Sequence, residues 1–240
     1  MPPEALVHTN LSATDTGGLP RLGEPAPPFE AKTTQGQVRL EDFRGSWLIL
    51  FSHPADFTPV CTTEFVGFAE IAPALKKRNV ELLGLSIDSV YAHIAWIRNI
   101  EQSFGVKITF PVIADLDRSV ATAYGMLMPG ESSTEASRCV FVINPDGIVK
   151  AMIYYPLSTG RNMKEIVRLI DALQTADRFT VATPANWEPG KRVIVPPPRT
   201  QEDAAARVNA GYECKDWYYC ETTLSSRREK WPVSPATARS

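Results

Sequence analysis

The chain has 240 residues, of which 44% are hydrophobic and 22% are charged, and its formal net charge is −2. These values are typical of a folded protein with one main domain and room for a smaller one, and they exclude wholesale disorder and fibrous classes. The small net charge gives no general attraction to nucleic-acid phosphates or to anionic membranes, so neither is expected as a partner.

The sequence shows no membrane-spanning pattern and no secretory signal. No run approaches the roughly 18 apolar residues that a membrane-spanning helix needs. Residues 1–20 also lack the basic and apolar regions of a signal peptide. The sequence therefore predicts a cytoplasmic protein with a flexible N-terminal tail over residues 1–19.

The first half of the chain alternates between strand and helix patterns. Short apolar runs at residues 47–52 and 80–86 predict buried strands. Residues 61–78 and 90–104 show the helical spacing of apolar side chains. Such alternation indicates a layered α/β fold. The second helix is expected to have an apolar side formed by Tyr91, Ile94, Ala95 and Ile97.

A hairpin follows in the second half of the chain. Strand-like residues 139–143 and 149–155 are joined by Asn-Pro-Asp-Gly at positions 144–147, which is a strong hairpin signal. Residues 163–173 then return to helical spacing.

The composition changes after about residue 177, where proline-rich breaks interrupt any long element. Extended segments are expected there rather than a large core. The sequence therefore predicts a main domain over residues 20–177 and a smaller C-terminal domain over residues 178–240.

Cys61 lies where a thiol would be activated. The 4 cysteines of the chain are too few for a disulfide framework, so reactive thiols are the better expectation. Cys61 falls in the first turn of a predicted helix, in the pattern Pro54-x-x-x-Thr58-x-x-Cys61. Unpaired backbone N–H groups and the helix dipole favour the thiolate there, which is the nucleophilic form. A structural cysteine needs neither the loop that carries Pro54 nor the nearby hydroxyl of Thr58, so Cys61 is predicted to be a nucleophile.

Residues 53–64, with the sequence HPADFTPVCTTE, resemble the active-site segment of peroxiredoxins, in particular the one-cysteine subfamily. This resemblance implies a thioredoxin-like fold, in which helices flank a mixed central sheet. It also implies a thiol peroxidase in which hydrogen peroxide or an organic hydroperoxide oxidises Cys61 to sulfenic acid. Further matching segments are residues 79–88, 138–156, 159–162 and 183–187.

The resemblance assigns further site residues. It makes Arg138 the arginine that holds thiolate and peroxide together, and a permanently charged guanidinium group could do both. Arg161 resembles a second arginine near the same pocket, and Glu64 could orient one of the two. His53 could hydrogen-bond the sulfur or its oxidised forms. From the residues alone, a surface arginine and a structural histidine stay open, and Cys139, next to Arg138 on a strand, is expected to face the core.

Two late cysteines, Cys214 and Cys220, enclose an aromatic segment, CKDWYYC. The stretch resembles the C-terminal pair of archaeal and some bacterial relatives, in which a late cysteine of the partner subunit condenses with the sulfenic acid. This implies that Cys220 is the resolving cysteine and Cys214 a back-up or exchange partner. It also implies a homodimer, or a decameric ring of dimers, that is reduced by a thiol donor such as thioredoxin.

Other interpretations of the two late cysteines are a structural disulfide or idle thiols. A metal site is not expected, because no further cysteine or histidine lies nearby to complete a zinc ligand set. No cofactor is expected either, since the chain has no Gly-x-Gly-x-x-Gly and no P-loop.

Two other functions compete with peroxide reduction as interpretations of the sequence. Some one-cysteine relatives carry a phospholipase site, but the corresponding residues 43–48 lack its closing glycine, and Glu41 stands where a histidine is expected. A serine without a nearby base does not predict a hydrolase. A redox-regulated holdase chaperone or a peroxide sensor, in which oxidation of Cys61 changes the oligomeric state, stays open as the alternative function.

Overall fold

The computed structural model describes residues 19–207 and 210–224. The predicted N-terminal tail, residues 1–19, lies outside the described residues except for residue 19. Contacts divide the chain into two compact units, Met1–Arg161 and Asn162–Ser240. The domain boundary expected from the sequence, after residue 177, lies later in the chain than this division.

The first unit is built on a mixed sheet of seven strands. The strands are β1 (Glu30–Thr33), β2 (Gly36–Arg39), β3 (Trp47–Ser52), β4 (Val80–Ser86), β5 (Val112–Ala114), β6 (Arg138–Ile143) and β7 (Val149–Tyr155). Their order in the sheet is β2-β1-β5-β4-β3-β6-β7. The pairs β3–β4 and β4–β5 are parallel, and the remaining pairs are antiparallel.

Three α-helices and one short 3-10 helix accompany this sheet. They are a 3-10 helix (Leu40–Phe43), α1 (Pro59–Lys76), α2 (Val90–Phe104) and α3 (Ser119–Ala123). Helix α1 packs against β4, and α2 packs against β5. The strands and helices predicted between residues 47 and 104 are all present, and β6 and β7 form the predicted hairpin.

Strand β3 is buried along its whole length because both faces of the sheet are covered. On one face Leu48 and Leu50 join a large apolar cluster that also contains Phe141. On the other face the ring of Phe51 stacks on Phe68 of α1, with 3.9 Å between ring centroids. Side chains alternate between the faces of a strand, so β3 divides its apolar residues between the two layers.

Helix α2 buries a different face from the one predicted. Tyr91 is 81% exposed and Ile94 is 41% exposed, whereas His93, Trp96 and Ile100 are buried. The predicted apolar side was therefore wrong. The buried face contains a histidine, which hydrophobic spacing counts as polar, and this histidine finds hydrogen-bond partners inside the protein.

The second unit contains two helices and a small sheet. Its elements are α4 (Met163–Phe179), β8 (Val193–Ile194), α5 (Gln201–Arg207), β9 (Glu213–Asp216) and β10 (Tyr219–Thr222), and the strand order is β8-β10-β9. Trp187 and Val193 belong to a small apolar core in this unit. Helix α4 is six residues longer at its C-terminus than predicted, ending at 179 rather than 173. Among the residues described in both units, no helix is long and apolar enough to cross a membrane.

Candidate active site

Cys61 lies in the first turn of helix α1, as its spacing predicted. Thr58 is the N-cap residue, Pro59 is the first residue of the helix, and Cys61 is the third. Proline suits the first position because its missing N–H would have no intrahelical partner there. The side chain of Cys61 is a free thiol and is completely buried. The nucleophile predicted from the sequence is therefore at the positive end of the α1 dipole.

Arg138, the first residue of β6, contacts the sulfur of Cys61. Its Nη1 lies 3.4 Å from Cys61 Sγ and 2.8 Å from Glu64 Oε2. Its Nε and Nη2 donate to the carbonyl oxygen of Leu157, at 3.0 and 2.8 Å. These four contacts fix the plane of the guanidinium group, which is almost completely buried.

Glu64 holds a second arginine, Arg161, beside the first. Glu64 Oε1 accepts hydrogen bonds from the backbone N and Nε of Arg161, at 2.9 and 2.8 Å, and Oε2 accepts one from Nη2 at 2.6 Å. Arg161 Nη1 donates to the carbonyl oxygen of Cys139. The guanidinium carbon of Arg161 also lies 5.3 Å from the ring centroids of both Phe51 and Phe68. The structure thus brings four predicted site residues, Cys61, Glu64, Arg138 and Arg161, into one buried cluster.

The buried cluster has an excess of positive charge. Burial disfavours the charged form of Glu64 and would raise its pKa, but hydrogen bonds and charges from Arg161, with the charge of Arg138, outweigh burial. The pKa of Glu64 therefore lies below its usual range, and the side chain is a carboxylate. Two guanidinium groups and one carboxylate leave one net positive charge, which a thiolate at Cys61 would balance.

Thr58 and Pro54 lie on the loop that precedes α1. Thr58 is half-buried, and its Oγ1 donates to the carbonyl oxygen of Ala55 at 2.9 Å. Because its hydrogen is used in that bond, the hydroxyl oxygen is left to act as an acceptor. Pro54 is buried.

His53 belongs to a buried hydrogen-bond network that the sequence did not predict. Its Nε2 lies 2.9 Å from Asp56 Oδ1, and His93 Nδ1 lies 2.8 Å from Asp56 Oδ2. His93 Nε2 lies 3.0 Å from the carbonyl oxygen of Ile113. The side chains of Asp56 and His93 were not identified from the sequence as site residues. Asp56 lies on the same loop as His53, and His93 shares a helical face with Trp96, but neither placement indicates that the side chains of Asp56 and His93 meet.

Burial and hydrogen bonding fix the protonation of His53. Burial is the main cause that lowers the pKa of His53, although Asp56 opposes it. Burial would raise the pKa of Asp56, but its bonds to His53 and His93 hold that pKa below the usual value. A neutral His53 that donates through Nε2 leaves Nδ1 as a free acceptor, and Nδ1 has no hydrogen-bond partner among the described residues.

The side chains of His53, Asp56 and His93 are the one group in the described part of the chain whose arrangement could hold a metal ion. One ligand atom from each lies within 4.8 Å of the others. In the structure those atoms are engaged in hydrogen bonds with one another instead.

The other cysteines have different surroundings. Cys139 is fully buried in the large apolar cluster, and burial raises the pKa of its thiol to about 12, although Ser52 and Arg161 oppose this. The expected core position of Cys139 is confirmed. Cys214 and Cys220, in the second unit, are joined by a disulfide. The sequence predicted Cys220 as the resolving cysteine and Cys214 as a back-up or exchange partner, and a structural disulfide between them was one of the alternatives.

Comparison with protein families places both parts of the chain. Residues 22–152 match the AhpC/TSA family, and residues 172–211 match the C-terminal domain of 1-Cys peroxiredoxin. A peroxiredoxin of Aquifex aeolicus is 59% identical over 214 residues, which are 85% of this chain and 96% of that protein. A peroxiredoxin of Methanosarcina mazei is 50% identical and is covered over 97% of its length, against 84% of this chain.

Solved structures of similar shape come from the same group. A yeast mitochondrial 1-Cys peroxiredoxin, described with a thiol resolving mechanism via glutathione/thioredoxin systems, has a TM-score of 0.75 and 40% identity. The match covers 85% of this chain and 99% of the yeast chain. A cysteine-to-serine mutant of peroxiredoxin 6 from Arenicola marina has a TM-score of 0.76 and 40% identity. That match covers 86% of this chain and 99% of the Arenicola chain.

Proposed function

Because the chain belongs to the AhpC/TSA family of peroxiredoxins, which are thiol-dependent peroxidases, we propose that Cys61 is the nucleophile that reduces hydroperoxides. One observation carries this proposal: the buried guanidinium group of Arg138 lies 3.4 Å from Cys61 Sγ. The net positive charge of Arg138, Arg161 and Glu64 favours the thiolate, which is the reactive form of cysteine. The family membership does not favour the chaperone or sensor alternative.

The chemical step uses Cys61, Thr58 and Arg138. The Cys61 thiolate attacks the distal oxygen of the hydroperoxide, and the O–O bond breaks with its electron pair on the leaving oxygen. Arg138 donates hydrogen bonds to the peroxide oxygens as negative charge develops on them. Thr58 Oγ1, whose hydrogen is given to Ala55, accepts the hydrogen of the peroxide and orients it. The leaving group takes a proton and departs as water or alcohol, while Cys61 becomes a sulfenic acid.

Four other residues support this step. Glu64 accepts a hydrogen bond from the same Nη1 of Arg138 that contacts Cys61 Sγ, and Arg161 in turn holds Glu64 in place. His53 offers Nδ1 as an acceptor for a donor such as the hydroxyl of the sulfenic acid. Pro54, which is buried, helps to keep water from the loop before α1.

The sulfenic acid is then resolved by a C-terminal cysteine. Cys220 of the partner subunit attacks the sulfur of Cys61, water leaves, and a disulfide joins two chains. Cys214 then displaces Cys61 from Cys220. This exchange returns a free Cys61 and gives the Cys214–Cys220 disulfide, which is the state of both sites in the structure. A homodimer, or a decamer built from dimers, and a thiol reductant such as thioredoxin complete the cycle.

The nucleophile is tested by Cys61→Ser, which should abolish hydrogen peroxide consumption in an assay with dithiothreitol as reductant. Cys139→Ser is the matched control, because it makes the same change at a buried cysteine whose thiol lies in the large apolar cluster, and it should retain turnover. Turnover by the Cys61→Ser variant would overturn the proposal.

The resolving step is tested separately with Cys214→Ser, which removes the exchange partner. After one equivalent of peroxide, non-reducing electrophoresis should show dimers linked by a disulfide, and mass spectrometry should identify Cys61 and Cys220 in the link. If Cys61 appears only as sulfenic or sulfinic acid, resolution by Cys220 is wrong.

A further inference from the structure

The Cys214–Cys220 disulfide has two unlike sulfur atoms. The two residues are partners across the β9–β10 pair, so the disulfide links neighbouring strands. Cys220 is completely buried, whereas Cys214 is half-buried. Cys214 also lines an open groove of about 510 Å³, together with Ala204, Ala205 and Trp217. A molecule arriving from solvent therefore meets Cys214 first.

Arg207, the last residue of α5, contacts the buried sulfur. Its Nε lies 3.0 Å from Cys220 Sγ. The other two guanidinium nitrogens donate to the carbonyl oxygens of Pro196 and Val195, at 2.5 and 2.6 Å. Arg207 is itself buried, with 8% of its surface exposed. The side chain therefore cannot move away from the sulfur without breaking two short hydrogen bonds.

The positive charge of Arg207 has no carboxylate partner among the described residues. Other charged side chains of the hairpin have contacts elsewhere: Glu213 pairs with Arg192, Glu221 accepts a hydrogen bond from Tyr219, and Lys215 lies over the ring of Tyr219. The other contacts of Arg207 are the two carbonyl dipoles and the ring of Tyr212, whose centroid lies 5.9 Å from the guanidinium carbon, and these balance a buried cation poorly. A negative charge on the adjacent sulfur would balance it better.

A disulfide sulfur is neutral and accepts only a weak hydrogen bond, whereas a thiolate at the same position would accept a charge-assisted one. The contact from Arg207 thus becomes stronger when the S–S bond breaks with the electron pair on Cys220. We infer that Arg207 stabilises Cys220 as a thiolate, so that thiol reductants open this disulfide by attacking Cys214. This inference rests on the proposed function, in which the pair is reduced in every cycle.

The reduction takes place in two balanced steps. A thiolate of the reductant attacks Cys214 Sγ and forms a mixed disulfide, and the pair of electrons from the S–S bond leaves on Cys220 as a thiolate beside Arg207. A second thiol of the reductant, as its thiolate, then attacks the reductant's sulfur in the mixed disulfide and releases Cys214. Two thiols of the reductant become a disulfide, and Cys214 and Cys220 return to the reduced form. The same stabilised thiolate at Cys220 is the nucleophile of the resolving step.

The first experiment compares the two thiols in isolation. In the full-length protein, Cys214→Ser leaves Cys220 free and Cys220→Ser leaves Cys214 free. The rate of alkylation by iodoacetamide is followed against pH, and peptide mass spectrometry reads each cysteine separately. The thiol pKa obtained for Cys220 should be at least about one unit lower than the pKa obtained for Cys214. A pKa of Cys220 that is equal to or higher than that of Cys214 would overturn the inference, and this test needs no change at Arg207.

The second experiment changes the arginine. Arg207→Met should raise the titration point of Cys220 by about one pH unit or more, whereas Arg207→Lys, which keeps the charge, should restore part of the shift. Reduction of the disulfide by dithiothreitol at neutral pH should slow by about tenfold in Arg207→Met. Arg199→Met, an exposed arginine in the same unit, is the control and should change neither value. A titration point of Cys220 that is the same in Arg207→Met and wild type would contradict the role of Arg207.

The third experiment finds the sulfur that is attacked. The oxidised protein is treated with glutathione, quenched with acid and analysed for the mixed disulfide. Glutathione on Cys214 supports the inference, and glutathione on Cys220 overturns it. None of the three experiments depends on peroxide turnover. If Cys220→Ser keeps full peroxide turnover, the proposed resolving role of Cys220 is wrong. The three experiments would still show whether Arg207 stabilises the Cys220 thiolate.

Discussion

Three buried side chains determine the charge around Cys61. Glu64 bonds to both Arg138 and Arg161, so neither guanidinium group can move away from Glu64 without leaving a buried charge unpaired. Arg138 also uses two donors on the carbonyl oxygen of Leu157. An arginine is needed at this position because a lysine, with its single nitrogen, cannot span the three partners.

Arg138→Met should therefore slow the reaction with hydrogen peroxide. Removing a single donor that stabilises charge in a transition state costs about a hundredfold or more in rate. Arg138→Lys should recover only part of the loss. The measurement is the second-order rate constant of Cys61 oxidation by stopped flow, with the exposed Arg98→Met of helix α2 as the control. An unchanged rate constant in Arg138→Met would remove this residue from the chemical step.

Glu64 should also make stability depend on pH. Its pKa is lower in the folded protein than the ordinary value of 4.5, so its carboxylate stabilises the fold above that pH, and the stabilisation is lost as the pH falls. Glu64→Gln should lower the free energy of unfolding by about 3 kcal/mol at neutral pH, because it leaves buried guanidinium charge unpaired. The difference from wild type should shrink as the pH falls below 4.5.

Denaturation by urea at several pH values measures this difference. Asp56 also has a lowered pKa, but it titrates in both proteins and cancels in the comparison. The exposed Glu101→Gln of helix α2 serves as the control and should have little effect at any pH. A difference between Glu64→Gln and wild type that does not change with pH would contradict the carboxylate's role.

Among the elements, helix α2 was predicted with the correct limits but with the wrong buried face. Hydrophobic spacing cannot recognise a buried histidine, and His93 is placed by hydrogen bonds to Asp56 and to the carbonyl oxygen of Ile113. Those partners lie far away in the sequence, so no local pattern contains them. Strands β3 and β4 were predicted well because a strand buried on both faces is a continuous apolar run.

Strand β4 depends on a glycine, Gly84, that lies against the aromatic rings of Phe51 in β3 and Phe65 in α1. A Cβ atom at Gly84 would lie 3.3 Å from Phe51 and 3.5 Å from Phe65, and Phe51 is already stacked against α1. Gly84→Ala should therefore destabilise the first unit by about 1–3 kcal/mol through overpacking. Thermal unfolding measures the loss. Gly130→Ala, where a Cβ would meet nothing within 4 Å, should be nearly neutral, and equal effects of the two variants would refute the packing argument.

For the molecule as a whole, the prediction from the segment at residues 53–64 is confirmed for family and fold. The chain is a peroxiredoxin with a mixed sheet flanked by helices and a small C-terminal sheet. Cys61 and Arg138 could be found because each lies in a recognisable segment. The Asp56–His93 contact and the Arg207–Cys220 contact could not, since each joins residues whose separate surroundings look ordinary. The cytoplasmic location and the oligomer stay predictions.

The rate at which a thiol reagent modifies Cys139 reports on unfolding of the first unit. The thiol of Cys139 lies within the large apolar cluster of the first unit, and its pKa is raised to about 12, so a thiol reagent can modify it only after the sheet opens. Cys61, at a helix N-terminus, needs only a local opening of the first turn of α1. Labelling rates at Cys61 and Cys139 in one sample would therefore distinguish local opening of the first turn of α1 from global unfolding. The same native protein supplies both readings, without an engineered cysteine.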